Sequence, residues 1–454
     1  MALATRTLEQ QFADEFPNSR ARAMHALEIF PSGVTHDGRY VKPFPLYVQH
    51  AQGSKKYDVD GHELIDYAVG HGSLILGHGR PEIIAAVEEQ LHKGTHYGAG
   101  HDLELAWGDW VTRLVPSVDT VRFTGSGTES TLMAMRLARA YTGREKIVKV
   151  SGNFHGWHDA ALPGEKVPFD VVNSPGVPQG TVESVSVAPV NDLDWVAQRC
   201  AQGDIAGLIL EPSGASWATI PLPEGYLAGL REITNKHEVV LIFDEVITGF
   251  RWAPGGAQER YNVIPDITTM AKIVAGGLPG GAVGGRGDIM ALLEFRDDPA
   301  WKKVPHPGTF NANPLSAAAG STCLEIVSNP EIQRHCDALA ATLRAGCNAL
   351  LVERSIPGVV YGESSVFHVL LGESPSNMTN GDLRAPEGLT PERLKTANTG
   401  KVKATLNAGM LLNGVDLFSN GGLFSYAHTP DDVDKTLEAF DTTICRMRDE
   451  GVIG

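Results

Sequence analysis

The stretch VVLIFDE at residues 239–245 decides the fold of this chain. Five apolar residues followed at once by two carboxylates are typical of a strand that is buried in a parallel sheet and ends at its polar edge. A second run, IAGLIL at residues 205–210, ends in the same way at Glu211. Helical patterns alternate with such runs, and this alternation predicts an α/β fold with a mostly parallel sheet flanked by helices.

Composition limits the possible partners and compartments. The 454 residues carry a formal net charge of −16, which argues against nucleic acid or an anionic membrane as a partner. No run of eighteen apolar residues is present, which argues against a membrane span. The five cysteines follow no CxxC spacing, so they indicate reduced thiols in a cytosolic protein and no metal site. The apolar content of 42% is that of an ordinary folded protein.

A Gly/Ser turn, TGSGT at residues 124–128, stands between a strand pattern and a helix pattern. The first N–H groups of a helix have no partner within the helix, and glycines let an anion approach the backbone, so this turn predicts a phosphate site. The alternative is an ordinary strand-to-helix turn capped by Thr128. The turn is neither a Walker loop nor a dinucleotide-binding GxGxxG motif.

Two charged residues stand in apolar surroundings downstream of this turn. Asp244 ends the first strand quoted above, where an ionised carboxylate is costly unless a cation meets it. Lys272 follows 28 residues later in MAKIVAGG at residues 270–277, where desolvation would lower the pKa of its amine and make it nucleophilic. The alternatives are an aspartate that bonds to loop backbone and a lysine that extends from a half-buried strand to solvent.

Taken together, the three features match one cofactor. Pyridoxal phosphate requires an amine that forms a Schiff base, a carboxylate that keeps its ring nitrogen protonated, and N–H donors for its phosphate. On these residues the chain resembles the class III pyridoxal-phosphate aminotransferases of fold type I, and the resemblance covers residues 32–428. Further matching blocks are DVDG at 58–61, GHG at 77–79, FHG at 154–156, FDEV at 243–246 and residues 306–320.

The resemblance implies a role for individual residues. Lys272 would be the Schiff-base lysine and Asp244 the partner of the pyridine nitrogen, and these two would be the catalytic residues. The other implied cofactor contacts are Ser126, Gly127 and Thr128 at the phosphate, Phe154 and Val246 on the two ring faces, His155 and Glu211 beside the cofactor, and Thr309, which would reach the phosphate of the neighbouring subunit. The contact from Thr309 would make a homodimer the functional form.

The resemblance also implies the architecture, a large cofactor-binding domain with a small α+β domain built from both chain ends. We place the N-terminal segment of the small domain at residues 1–75, the large domain at 76–325 and the C-terminal small domain at 326–454. One segment departs from the family pattern. In EPSGASW at residues 211–217, Ser216 stands where close relatives have an amide, so the contact to the ring hydroxyl stays open.

Within the class, the chain resembles glutamate-1-semialdehyde aminomutase and D-phenylglycine aminotransferase. SGVTHDGR at residues 32–39 keeps the spacing of a substrate-carboxylate arginine, which implies that Arg39 binds substrate; the alternative is a solvated loop arginine. His71 stands where the aminomutase has tryptophan, and it is the second substrate-binding candidate. SNGGLFS at residues 419–425 lacks a glutamate that the aminomutase has. Both departures resemble the D-phenylglycine enzyme.

The sequence therefore predicts a cytosolic pyridoxal-phosphate aminotransferase with a ping-pong mechanism. Its donor would be an amino acid, aromatic and possibly D-phenylglycine-like, and its acceptor a 2-keto acid such as 2-oxoglutarate. One alternative is glutamate-1-semialdehyde 2,1-aminomutase, in which the amino group moves within one molecule. The other is a catalytically silent protein that only binds the cofactor. The identity and handedness of the donor, the preferred keto acid and any oligomer beyond the dimer stay open.

Overall fold

A computed structural model describes residues 6–172 and 174–454. The strands, in chain order, are β1 Val48–Gln52, β2 Lys55–Asp58, β3 Glu63–Asp66, β4 Thr120–Thr124, β5 Lys146–Val150, β6 Val185–Ala188, β7 Ile205–Leu210, β8 Ile220–Pro221, β9 Val240–Asp244, β10 Ile267–Ala271, β11 Gly281–Gly285, β12 Gly358–Tyr361, β13 Val366–Leu371, β14 Val415–Asp416 and β15 Gly421–Leu423.

The α-helices follow the same order. They are α1 Leu8–Glu15, α2 Pro17–Ala26, α3 Pro81–Lys93, α4 Asp102–Leu114, α5 Gly127–Thr142, α6 Gln179–Glu183, α7 Leu193–Cys200, α8 Ala215–Ala218, α9 Tyr226–Lys236, α10 Ala257–Tyr261, α11 Gly287–Met290, α12 Pro314–Val327, α13 Glu331–Glu353, α14 Pro391–Lys395, α15 Lys401–Leu412 and α16 Pro430–Asp449. Short 3₁₀ helices occupy Pro31–Gly33, Asp37–Arg39, Asp159–Ala161, Lys272–Ala275 and Ala291–Leu293.

The chain forms two compact units. The first comprises residues up to His71, Ile75–Arg80 and Arg334–Gly454, and the second comprises Gly72–Leu74 and Pro81–Gln333. We call them the terminal unit and the central unit. The domain boundaries predicted from the sequence stay predictions.

A seven-stranded sheet is the framework of the central unit. Its strand order is β4-β11-β10-β9-β7-β5-β6. β11 runs antiparallel to both its neighbours, and the pairs from β10 to β6 are parallel. The mostly parallel sheet predicted from the two apolar runs is confirmed. The antiparallel β11 has the sequence GAVGG, whose glycines gave no strand signal.

Two apolar layers cover the faces of this sheet. Successive side chains of a strand point to opposite faces. In β9, Ile242 accordingly packs in one cluster with Met135 and Leu137 of α5, whereas Phe243 packs in the other with Leu230 of α9. Each fully buried side chain of this size contributes roughly 1.5–3 kcal/mol of transfer free energy. The strands are therefore fixed in position, and so are the residues that follow their ends.

The terminal unit contains a four-stranded sheet, β1-β2-β3-β14, and a three-stranded sheet, β12-β13-β15. A charged cluster lies within the first of these sheets. The Nζ of Lys56 lies 2.8 Å from a carboxylate oxygen of Asp66 and 2.7 Å from one of Asp416. The Nε2 of His78 lies 2.6 Å from the second oxygen of Asp66. We call these four residues the paired cluster.

Among the described residues, no helix is both long and apolar enough to cross a membrane. The cytosolic location stays a prediction.

Candidate active site

A cavity of about 380 Å³ opens at the carboxyl edge of the central sheet, a size typical of small-molecule sites. Parallel strands end at the same edge, so residues far apart in sequence meet there. The cavity is lined by Ser73, Gly125, Ser126, Gly127, Thr128, Thr131, Phe154, His155, Gly156, Asp244, Val246, Ala271, Lys272, Gly277, Leu278, Pro279 and Gly280. All of these residues belong to the central unit.

The Gly/Ser turn is one wall of the cavity, at the start of α5. Ser126 caps the helix, because its Oγ accepts the N–H of Glu129 at 3.3 Å. The N–H groups of Gly127 and Thr128 belong to the first turn and have no partner within the helix. They and the helix dipole favour an anion at this point. The turn is therefore suited to hold a phosphate.

Asp244 lies at the end of β9 and is 4% exposed. Its Oδ1 accepts the N–H of Val246 at 3.1 Å and the hydroxyl of Thr269 at 3.2 Å. Its Oδ2 lies 2.7 Å from Nδ1 of His155. Three groups thus fix the orientation of this carboxylate at the cavity.

His155 is buried beside this carboxylate. Its Nε2 is buried and has no hydrogen-bond partner among the described residues. Burial, and next the charge of His155, lower the pKa of His158 to about 4. His158 is therefore neutral near pH 7. An unpartnered buried nitrogen next to Asp244 leaves room for a polar group that the protein does not itself supply.

Lys272 begins the 3₁₀ helix that follows β10. Its φ of +60° is uncommon for a residue with a side chain, and such strained positions cluster at functional sites. Burial lowers the pKa of its amine, while the carboxylates of Asp244 and Glu211 act in the opposite direction. The amine forms no ion pair within 4 Å in the part of the chain that the structure describes. A lowered pKa and the absence of an ion pair together favour a nucleophilic amine.

Glu211 follows the end of β7 and is buried. Its carboxylate accepts three backbone N–H groups at 2.8 Å, those of Phe154, Ser216 and Trp217. Burial raises the pKa of Glu211, and the charge of His155 and these N–H bonds oppose the rise. Ser216 and Trp217 both have left-handed φ values, of +50° and +51°. Glu211 therefore joins the strained turn at Ser216 and Trp217 to the backbone of Phe154, the residue predicted to stack on the cofactor ring.

The cavity fits pyridoxal phosphate. A Cβ added to Gly127 would lie 3.0 Å from Cγ2 of Val246, so this position leaves no space for a side chain between the turn and the valine. Phe154 and Val246, the two predicted ring contacts, both line the cavity, as do Asp244 and Lys272. The helix start, the carboxylate and the amine that the cofactor requires are thus collected in one cavity.

The structure places the predicted cofactor residues in two groups. The group that lines the cavity consists of Ser126, Gly127, Thr128, Phe154, His155, Asp244, Val246 and Lys272. Glu211 and Thr309, which the structure also describes, do not line the cavity of their own chain. Thr309 is exposed. The role of each of these residues stays a prediction.

The two predicted substrate residues belong to the terminal unit. Arg39 is exposed, and its Nη1 donates to Oγ1 of Thr35 at 3.0 Å. The ring of His71 lies 5.1 Å from that of His36 and 5.2 Å from that of Phe418. His71 and Phe418 are therefore neighbours within this unit.

Sequence reasoning missed several lining residues. Thr131, Ser73 and the segment Gly277–Gly280 gave no signal of their own, because small and hydroxyl residues are common in any turn or helix. Arg251 was also missed; it is fully buried and acts electrostatically on Lys272. Its signal was available, since an arginine only seven residues after Asp244 in a mostly apolar segment is unusual.

Comparison with known proteins identifies the family. The sequence model of the family described as Aminotransferase class-III matches residues 37–369, which is most of the chain. The chain belongs to the class III aminotransferases. A curated relative from Methanopyrus kandleri, a glutamate-1-semialdehyde 2,1-aminomutase, is 39% identical over 96% of this chain and 99% of its own length. The predicted family is confirmed.

Solved structures of two transaminases and an aminomutase agree with the fold. An omega-transaminase from Sphaerobacter thermophilus matches with a TM-score of 0.84 and 32% identity, covering 95% of this chain and 98% of that one. A transaminase with PLP bound matches with a TM-score of 0.84 and 29% identity over 96% and 99%. A glutamate-1-semialdehyde-aminomutase from Pseudomonas aeruginosa PAO1 in complex with PMP matches with 0.85 and 26% over 97% and 96%. The fold type I architecture and pyridoxal phosphate as cofactor are confirmed.

The predicted reaction, from an amino acid to a keto acid such as 2-oxoglutarate, is wrong. Curated relatives that are 36–41% identical over 79–96% of the chain are named glutamate-1-semialdehyde 2,1-aminomutase, and they favour the alternative. The prediction depended on two differences from the aminomutase pattern, one at His71 and the other at residues 419–425. Because His71 stacks on Phe418, just before that segment, the two departures are one local difference and carry less weight than identity along the whole chain.

Proposed function

We propose that this class III enzyme is an aminomutase that moves an amino group between adjacent carbons of one molecule, with glutamate-1-semialdehyde as substrate. The observation that carries the proposal is the shared name of the curated relatives over nearly the full chain. The cavity supports it with an amine, a carboxylate and a helix N-terminus that converge on one small volume.

When bound, pyridoxal phosphate supplies an aldehyde that takes up amino groups and a ring that withdraws electrons from the carbon bearing them. The first turn of α5 binds its phosphate through the N–H groups of Gly127 and Thr128. Asp244 holds a proton at the ring nitrogen, and its three hydrogen bonds keep the carboxylate aimed there. Phe154 and Val246 confine the ring.

Lys272 is the group that attaches the cofactor and then moves protons. Burial lowers the pKa of its amine and so favours the neutral form, which attacks a carbonyl and accepts a proton. Its four-carbon side chain is flexible, so one Nζ serves the two neighbouring carbons between which the amino group moves. No second base is needed, and the lowered pKa of His158, about 4, keeps that ring neutral near pH 7.

Substrate binding and assembly complete the proposal. Arg39 holds the substrate carboxylate in the bidentate manner that a guanidinium allows, and His71 contacts the substrate. The functional form is a homodimer in which Thr309 reaches the phosphate of the neighbouring subunit. The exposure of Thr309 on its own chain supports this role.

An isomerisation assay tests the function directly. The purified protein, loaded with cofactor, is given glutamate-1-semialdehyde with no keto acid, and the isomeric 5-amino-4-oxo acid is measured. We expect turnover that does not change when 2-oxoglutarate is added. A strict requirement for 2-oxoglutarate, or no turnover by a protein with a normal cofactor spectrum, would contradict the proposal.

A further inference from the structure

Arg251 is completely buried in the central unit, with 0% exposure. It follows Asp244 by seven residues, in the turn that leaves β9. A guanidinium is charged at every pH of interest, and burying a charge is costly. Its position beside the cavity therefore calls for a physical reason.

Several hydrogen bonds hold the turn that carries Arg251. The carboxylate of Glu245 is buried and accepts the hydroxyl of Thr248 at 2.7 Å and the N–H groups of Ala257 and Gln258 at 2.7 and 3.0 Å. The N–H of Arg251 donates to the carbonyl of Thr248 at 3.1 Å. The backbone of Arg251 is thus held in place.

At its other end, Arg251 reaches the segment Gly72–Leu74. Its Nη2 donates to the carbonyl oxygen of Gly72 at 3.0 Å. Gly72 has a φ of +85°, so the segment adopts a conformation that needs support. The next residue, Ser73, lines the cavity. The following residue, Leu74, packs so closely on Gly277 that an added Cβ there would lie 2.5 Å from its Cδ2.

Arg251 also acts on Lys272 through its charge. Burial is the largest cause of the lowered pKa of Lys272, the carboxylates of Asp244 and Glu211 oppose it, and the guanidinium of Arg251 lowers it further. The ring of His155 is hydrogen-bonded to the carboxylate of Asp244. Arg251 is the cation that opposes the two carboxylates in this set.

We propose that Arg251 is a positioning residue of this site, which fixes the segment Gly72–Leu74 on the cavity wall and supplies a permanent positive charge beside Lys272. The inference rests on the proposed role of Lys272. It adds a residue that no motif of the sequence had singled out.

Three variants separate the two effects in the cofactor-loaded protein. Arg251→Met removes both the charge and the hydrogen bond, Arg251→Lys keeps the charge, and Arg251→Gln keeps a donor without the charge. Arg144→Met is the matched control, because Arg144 lies in the same unit outside the cavity and its Nη1 donates to three carbonyls, those of Ile205, His237 and Glu238. It should lower the melting temperature without changing the site.

The first readout is the pH titration of the visible absorbance of the cofactor joined to Lys272. Loss of a nearby cation favours the protonated form, so we expect the midpoint to rise in Arg251→Met and Arg251→Gln. Arg251→Lys and Arg144→Met should keep the wild-type midpoint. If Arg251→Met does not fold, Arg251→Gln gives the decisive titration.

The second readout is amide hydrogen exchange at Gly72–Leu74. We expect exchange at least about tenfold faster in Arg251→Met and wild-type exchange in Arg144→Met. An unchanged midpoint in the variants without charge, or unchanged exchange in Arg251→Met, overturns the inference. A titrating absorbance that survives in Lys272→Ala would instead break the proposed function, so the two failures are distinguishable.

Discussion

Two regions of this molecule contain nearly the same charged groups and use them in opposite ways. The paired cluster of the terminal unit joins Lys56 to two aspartates at 2.7–2.8 Å. At the cavity, Lys272 faces Asp244 and Glu211 but forms no ion pair with any described residue. Burial alone would lower the pKa of Lys56, but the charges of Asp416 and Asp66 outweigh it and raise that pKa. For Lys272 burial wins, and the pKa falls.

The difference lies in whether the amine contacts the carboxylates, because hydrogen bonds hold the carboxylates of both regions; Asp66 accepts the N–H groups of Ala68 and Val69 and still contacts Lys56. Asp244 is held by Val246, Thr269 and His155, and Glu211 by three backbone N–H groups. Neither carboxylate is free to turn toward the amine. The same residue types therefore give a stabilising ion cluster in one unit and a reactive amine in the other, according to whether the fold lets the amine contact the carboxylates.

The largest effect is expected at Lys272. Lys272→Ala should lower turnover of glutamate-1-semialdehyde by more than about a thousandfold, because both the attachment of the cofactor and the proton transfers are lost. Stopped assays and the visible spectrum measure this. Alanine at this left-handed position is no more strained than lysine, so a normal melting curve is the control. Undiminished turnover would remove Lys272 from the mechanism.

The opposite pattern is expected at the paired cluster. Lys56→Met leaves two aspartates without their cation, and breaking a buried pair in this way costs about 3–5 kcal/mol of the free energy of unfolding. Urea titration measures it. Activity of the folded fraction should stay near that of the wild type. A loss of turnover without a loss of stability would mean that the contrast between the two lysines is wrong.

Asp244→Asn tests the carboxylate of the site. An amide keeps the shape of the side chain but cannot hold a proton on the ring nitrogen, so kcat should fall by roughly 10²–10³-fold while the cofactor stays bound. Asp416→Asn in the paired cluster is the matched variant, and it should affect stability and leave kcat unchanged. Equal kcat values for the two variants would contradict the assignment of Asp244.

A smaller effect is expected at Arg39. Removing a charge-assisted hydrogen bond to the substrate costs about 1.5–3 kcal/mol, so Arg39→Ala should lower kcat/KM for glutamate-1-semialdehyde by roughly 10–100-fold. Arg22→Ala, an exposed arginine of the same unit, is the control. The half-reaction with a simple amine should change little. An equal loss toward that amine would show that Arg39 does not recognise the carboxylate.

The smallest effect concerns acid stability. Burial alone would raise the pKa of Asp66, but His78 and Lys56 outweigh it and hold that pKa at about 2. A carboxylate whose pKa is lower in the folded state stabilises fully above its unfolded pKa and ceases to do so as pH falls through the folded value. The stability difference between wild type and Asp66→Asn should thus shrink between about pH 4 and pH 2. A constant difference in urea titrations would contradict this.

Much of the site could be predicted because the sequence shows where buried strands end. Asp244 and Glu211 each close an apolar run, and parallel strands bring such ends together. The sequence offered a signal for Arg251 but not its role, and it offered none for Ser73, because both roles depend on contacts between segments far apart in the chain. The hydrogen bonds of Glu211 could not be predicted either. Its partners are backbone N–H groups, and the identity of a side chain does not show which backbone groups bind a carboxylate.

The reaction was the hardest to predict, and for a physical reason. Moving an amino group within a molecule and passing it to a second molecule use the same lysine, carboxylate and phosphate turn. Only the residues around the substrate distinguish them, and here the two differences lie close together, because the ring of His71 stacks on that of Phe418, which directly precedes residues 419–425. Two neighbouring differences therefore mislead more easily than identity along the whole chain.

Every wall of the cavity is encoded between Ser73 and Gly280. A ribosome therefore synthesises every residue that lines the cavity before it begins residues Arg334–Gly454 of the other unit.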